Sequence, residues 1–176
     1  MLRLILLTLA LVLGTGCQSM PELPPLDPVD HVDLSRFIGD WYVIAHIPTF
    51  LEKEAHNAVE SYELGEDGTI PTTFTFRKGG FDGEMKRMTP TGYVTDDPSN
   101  AVWGMQFIWP IKAEYLIIYL NDDYTQAVIG RNKRDYVWIM ARASEMPEAD
   151  YRRLVAWLGE QGYDTSKIQH VPQQWH

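Results

Sequence analysis

Arg36-Phe37-Ile38-Gly39-Asp40-Trp41-Tyr42-Val43-Ile44-Ala45 is the stretch from which the fold is read. A short helical turn gives way to a glycine and then to an alternating run rich in aromatic and β-branched residues. That is the pattern of a first strand entering a closed β structure. Gly39 permits close backbone approach, and Trp41 is large enough to plug the end of a barrel.

Working outward, turn signals recur at roughly strand-length spacing. Strands are expected at 41–47, 57–64, 72–78, 84–95, 101–109, 114–120, 125–130 and 136–143, the fourth interrupted near Pro90. Asp- and Gly-rich turns separate them, among them Glu66-Asp67-Gly68, Gly79-Gly80-Phe81-Asp82-Gly83 and Asp96-Asp97-Pro98-Ser99-Asn100. The connection at 48–56 is long for a hairpin and carries the apolar Phe50 and Leu51. After Pro147 the period changes. Tyr151, Leu154, Val155 and Leu158 fall at i, i+3, i+4 and i+7, which predicts one amphipathic helix ending near Gly162. A short strand at 168–173 closes the chain. The reading is all-β: an eight-stranded antiparallel up-and-down barrel with one C-terminal α-helix packed outside, closure removing the exposed edges.

The Gly39-x-Trp41 run, with its Trp-Tyr-x-Ile-Ala continuation, resembles the first motif of the lipocalins, in the branch of bacterial outer-membrane lipoproteins and apolipoprotein D. Asn121-Asp122-Asp123-Tyr124 resembles the second motif, Thr-Asp-Tyr, with the threonine replaced and the tyrosine displaced by one. Trp138-Ile139-Met140-Ala141-Arg142 resembles the third, and Tyr163-Asp164-Thr165-Ser166-Lys167 resembles the bacterial branch. The resemblance spans nearly all of the mature chain and implies a ligand-binding calyx as one lipocalin domain at 31–176. It gives Gly39, Trp41, Asp122 and Arg142 structural roles, with Arg142 lying over the Trp41 ring at the closed end. Such a cation–π contact is worth about 1–2 kcal/mol when desolvated.

The amino terminus predicts a destination. Arg3 precedes the apolar run 4–13 and small residues lead to Cys17, a signal-peptide pattern over 1–16 that is too short to span a bilayer. Cys17, the single cysteine, excludes an intramolecular disulfide. Preceded by Thr15 and Gly16, it resembles a bacterial lipobox, with Gly14 in the position usually held by Leu. The alternative is a plain cleaved signal with an incidental thiol. Residues 17–30, with Pro21, Pro24, Pro25 and Pro28, read as an extended tether below a lipidated cysteine. Gln18, in the Gram-negative sorting pattern this resembles, implies the outer membrane, lipid-anchored on its periplasmic face.

Alternation from Trp41 and Arg142 sends Val43, Ala45, Tyr136, Trp138 and Met140 into the calyx and His46 outward. Trp103, Met105 and Phe107 face inward because Gly104 and Gln106 occupy the other set. Aligning Tyr62 and Leu64 inward carries Glu60 with them, and the register of the family sets Arg77 beside Glu60. The two either orient a ligand's polar group or form an exposed cross-strand pair. Lys112, in the Pro110-Ile111-Lys112-Ala113 connection at the open mouth, either meets a phosphate or carboxylate or is a solvated loop lysine. The walls either enclose a cavity or fill the barrel, since eight strands stand at the border between the two.

The formal charge of −9, one unit more negative without Arg3, argues against nucleic acid and against electrostatic adhesion to anionic lipid. The five histidines are scattered without metal-ligand spacing, and no serine or thiol nucleophile has a catalytic context, so no enzyme, metal or cofactor is expected. The resemblance implies binding and storage or transport of an amphipathic lipid, a fatty acid or lysophospholipid, in envelope maintenance or stress. The rivals are an envelope scaffolding lipoprotein that binds a protein partner, and a small-molecule enzyme. A homodimer is compatible with these features and not required by them.

Overall fold

A computed structural model describes residues 23–175. The expected signal peptide and Cys17 lie outside the described residues. One antiparallel sheet closes on itself. Its strands are β1 (Gly39–Ile47), β2 (Ala55–Tyr62), β3 (Thr69–Lys78), β4 (Glu84–Met88), β5 (Thr91–Val94), β6 (Val102–Ile108), β7 (Ile111–Leu120), β8 (Gln126–Gly130) and β9 (Val137–Ala141). Apart from β4 and β5, each strand pairs with the next in order. β4 and β5 both pair β3 as two halves of one strand broken at Pro90, and β9 returns to β1. The barrel therefore has eight strands. A short turn α1 (Leu34–Phe37) precedes β1, the helix α2 (Glu148–Glu160) follows β9, and β10 (Gln169–His170) pairs β1 from outside.

β1 serves three neighbours, β2, β9 and β10. Its first half pairs β2 as far as Tyr42↔Val59; its second half pairs β10 at Ala45↔His170. Where β1 and β2 part, the C-terminal segment fills the seam. Gln173 Nε2 donates to the carbonyls of Val43 (2.8 Å) and Ala58 (3.2 Å). A bulge between Val43 and Ala45 lets β1 turn from one partner to the other. The bulge also shifts side-chain parity, which corrects two expectations. Ala45 packs in the outer apolar layer with Leu154 and Leu158 of α2, and His46 is buried rather than turned to solvent.

At the closed end, Asp33 caps α1 by accepting from the Ser35 N–H. α1 drives Phe37 beneath Trp41, whose Nε1 donates to the Phe37 carbonyl at 2.8 Å. The Arg142 guanidinium lies 4.0 Å over the Trp41 ring, as the motifs imply. It also donates to the carbonyls of Asp40, Arg36, Phe37 and Ile38 at 2.7–2.9 Å. One cation thus satisfies the acceptors left at the end of a four-residue helix. The Asp122 carbonyl accepts from Arg36, whose guanidinium covers the Tyr124 ring at 3.9 Å.

The Pro-rich stretch does not run free over its described part. Leu26 is buried against Gly130 and Tyr163, and its N–H donates to Asn132 Oδ1 at 2.7 Å. The Val29 N–H donates to the Ile117 carbonyl at 2.9 Å. An apolar residue between the prolines gives the segment something to bury, so contact with the barrel begins well before residue 31.

Replacing Arg142 with Ala should lower the unfolding free energy in urea by about 2–4 kcal/mol, since it removes both the ring contact and charged hydrogen bonds to several carbonyls. Arg142→Lys should lose part of this, because an ammonium cannot span the same carbonyls. Equal stability of Arg142→Ala and wild type would show that the floor closes without it.

Candidate functional site: a one-ended calyx

The interior divides by depth. Near the floor, Phe37, Tyr62 and Trp103 meet with ring centroids 5.5–5.8 Å apart, and Trp103 stacks on Tyr115. Val43 and Met140 are fully buried beside them, so the lower barrel is filled. Above this plug a cavity of about 290 Å³ opens between the loop 48–54 and the β6–β7 hairpin. Phe74, Met88, Met105, Tyr115 and Trp138 form its wall, with Phe107 and Tyr136 nearer the mouth. The interior is thus solid below and hollow above.

Glu60 lies on the cavity wall and is itself buried. The Tyr62 hydroxyl donates to Glu60 Oε2 and also meets the Tyr115 hydroxyl, which lies 3.1 Å from the same carboxylate oxygen. Burial pushes the Glu60 carboxyl up to about 7; the two hydroxyls partly offset this, and the nearby Glu52 charge adds to it. Burial first, then Glu60, also pushes both tyrosines well above the ordinary phenol value.

Glu52 is the other buried carboxylate. Its loop folds back over the mouth, and Glu52 Oε2 accepts from Trp138 Nε1 at 2.8 Å and lies 3.3 Å from His46 Nδ1. Thr49 Oγ1 donates to its other oxygen at 2.7 Å. The bulge in β1 that buries His46 thus gives this loop a second partner inside the barrel, beside Trp138. The remaining cavity charges lie at the mouth. Glu114 accepts from Asn132, and Arg131 pairs with Asp135 at 3.2 Å. The Arg131 Nε is buried without a hydrogen-bond partner. Among the described residues no group of three His, Cys, Asp or Glu side chains could hold a metal.

Three residues expected inside the calyx or at its mouth stand elsewhere. Arg77 is not beside Glu60: Glu60 pairs Phe74, whereas Arg77 pairs His56 and donates to the Gly83 carbonyl at 3.0 Å. The β2–β3 hairpin sets that register, and Phe74 and Phe76 hold the inward positions of β3, so Arg77 falls on the outer face. Leu64 is half exposed because β2 ends at Tyr62. Lys112 turns to the outer face, 3.5 Å over the Tyr93 ring and against Gly104. Ala45, already placed in the helix layer, is the fourth departure. Residues that the sequence reading missed include Glu52, Phe74, Met88, Tyr115 and Arg131. Tyr115 was within reach, since it alternates with Ile117 on a recognised strand.

Comparison with known proteins agrees with this architecture. A family model described as a lipocalin-like domain matches residues 32–173. Temperature-induced lipocalin-1 of Arabidopsis thaliana is 32% identical over 166 residues, covering 88% of this chain and 86% of the plant protein. The outer membrane lipoprotein Blc of Citrobacter freundii is 29% identical over 166 residues, covering 93% of this chain and 92% of that protein. Among solved structures, insecticyanin from the tobacco hornworm Manduca sexta shares the fold at a TM-score of 0.67 and 16% identity, over 88% of this chain and 86% of that one. Since the family model takes in the whole barrel, its helix and the strand that follows, the chain belongs to the lipocalin family.

Proposed function

We propose that this lipocalin binds an amphipathic lipid, a fatty acid or lysophospholipid, for storage or transport in the cell envelope. In this reading residues 1–16 are removed and an acylated Cys17 holds the protein on the periplasmic face of the outer membrane of a Gram-negative host. The names of its bacterial relatives, outer membrane lipoprotein Blc, favour that location. The observation that carries the proposal is the apolar, one-ended cavity of about 290 Å³ above a filled floor. Each methylene moved from water into it supplies about 0.8 kcal/mol, so a chain of ten supplies about 8 kcal/mol before the costs of association. Nothing in the site calls for turnover; capture at equilibrium is enough.

Charge sets the direction of entry. Glu60 and Glu52 stand within the calyx without a lysine or arginine beside them, and Arg131 is at the mouth. An anionic headgroup therefore finds no cation at the depth and one at the rim, where it is held with the acyl chain inserted tail first. Arg131 takes the role assigned from sequence to Arg77 and Lys112.

Arg131→Gln should weaken binding of a fatty acid or lysophospholipid by about tenfold, as expected for one charged hydrogen bond. Binding of an uncharged monoacylglycerol should change less than about twofold. Equal losses for both, measured by displacement of a fluorescent fatty-acid analogue, would show that the arginine only supports the loop.

Glu60 links binding and stability to pH. An acyl chain over Glu60 strips away remaining solvent and disfavours its charged form, so affinity should fall as pH rises through about 7. In Glu60→Gln that slope should disappear. Stability has the same sign. The folded carboxyl holds its proton to about 7 against an ordinary 4.5, so its contribution is fully present below 4.5 and lost as pH rises through about 7. Urea unfolding of wild type and Glu60→Gln across this window checks it; parallel curves would remove Glu60 from the account.

A further inference from the structure

The rim of the calyx is apolar on the outside as well as within. Phe50 is 77% exposed, Ile108 72%, Trp109 82% and Ile111 69%. All lie at one end, on the 48–54 loop and the tip of the β6–β7 hairpin, around the opening of the cavity. Large apolar side chains gathered at such exposure mark a contact surface. A tryptophan among aliphatic residues is the composition of a lipid–water interface.

Two further observations say what covers it. The first is charge. The closed-end connections 63–68, 95–100 and 121–125 carry seven acidic residues and no Lys or Arg. The open-end connections 48–54, 79–83 and 131–136 balance four basic against four acidic residues. Lys78 and Lys86 flank Phe50 and Leu51 in a hollow beside the rim, Lys86 paired with Glu84 at 2.6 Å. An anionic surface thus repels the closed end and admits the open one, whatever the net charge of the whole chain.

The second is where the chain leaves the barrel. Going backwards from α1, the N-terminal segment climbs the wall past Ile117 to the open end. There Arg134 Nη2 donates to the Pro24 carbonyl at 2.6 Å and Leu23 packs on Gly162. Leu23 stands six positions after Cys17, a reach of at most about 20 Å. An anchor at Cys17 would therefore hold the mouth, and not the floor, close to the membrane.

We propose that the apolar rim docks on a phospholipid bilayer, with Trp109 and its neighbours entering the interface so that the calyx opens onto the lipid. Ligand then passes between membrane and cavity without crossing water. Docking depends on the rim rather than on the identity of the ligand.

Vesicle flotation tests this with the chain from Gln18, which contains every described contact and has no acyl group. Vesicles of phosphatidylcholine with phosphatidylglycerol should float the wild type. Trp109→Ser/Ile111→Ser, whose positions are outside the cavity wall, should reduce the bound fraction by about tenfold or more. The same variant should bind a fluorescent fatty-acid analogue as wild type does, and Leu64→Ser at the closed end should float normally. If the double variant folds poorly, brominated phospholipid settles the matter on wild type, since it should quench tryptophan emission on vesicle addition. Wild type left in the aqueous phase and unquenched would overturn docking. So would a double variant that floats unchanged. A concentration-dependent dimer abolished by the double variant, without vesicle binding, would make the rim a self-association face. Docking without lipid uptake would remove the proposed function and leave this inference standing.

Discussion

Closure of the sheet constrains everything else, and β1 bears that constraint. It must complete the barrel against β9, begin the next ladder with β2 and still offer an edge to β10. A regular strand has only two edges, so β1 surrenders β2 halfway along and takes β10 in its place. The bulge at Val43–Ala45 is the local cost of that exchange. Its effects reach the site, because the parity shift buries His46 and gives Glu52 an inward partner. The loop that carries Phe50 and Leu51 over the mouth is thereby fixed from below.

The two ends of the barrel solve different problems. At the floor, backbone acceptors converge around one guanidinium and aromatic rings fill the space, leaving little for a ligand. Higher up, the polar groups are acidic or phenolic, and their mutual hydrogen bonds replace the water they have lost. A carboxyl so placed resists ionisation, and the neutral form is the one that best tolerates an apolar neighbour.

Much of this was legible in the sequence, and each failure has a local cause. Strand order, the break at Pro90 and the helix after Pro147 follow from local composition and turn spacing, and the Arg142–Trp41 contact is the one the family resemblance implies; no register change disturbs these. Inward positions close to those landmarks also stand: Val43, Trp103, Met105, Trp138 and Met140 are all interior. Counting by twos fails across a bulge. Ala45 and His46 exchange sides beyond the one in β1. Arg77 is kept from Glu60 by the hairpin register, since Glu60 faces Phe74 and Arg77, three residues further along β3, lies on the opposite face. Leu64 fails because the strand stops, and Lys112 because the Tyr93 ring holds it outside. Glu52 lay beyond sequence reasoning. Its burial depends on Trp138 and His46, contacts between residues 86 and 6 positions away.

The docked N-terminal segment also determines how the protein bears a mechanical load. A pull along the chain ahead of Leu23 is met first by the Arg134–Pro24 and Asn132–Leu26 hydrogen bonds. Both belong to the β8–β9 connection, in which Arg131 lies at the mouth. Tyr163 braces that connection from the helix side, its hydroxyl holding the Arg131 N–H at 2.9 Å and the Arg131 carbonyl at 3.2 Å. Tension in the leading chain is thus delivered to the lip of the calyx, and the closed end, on the far side of the Val29 and Val32 backbone hydrogen bonds, is shielded from it.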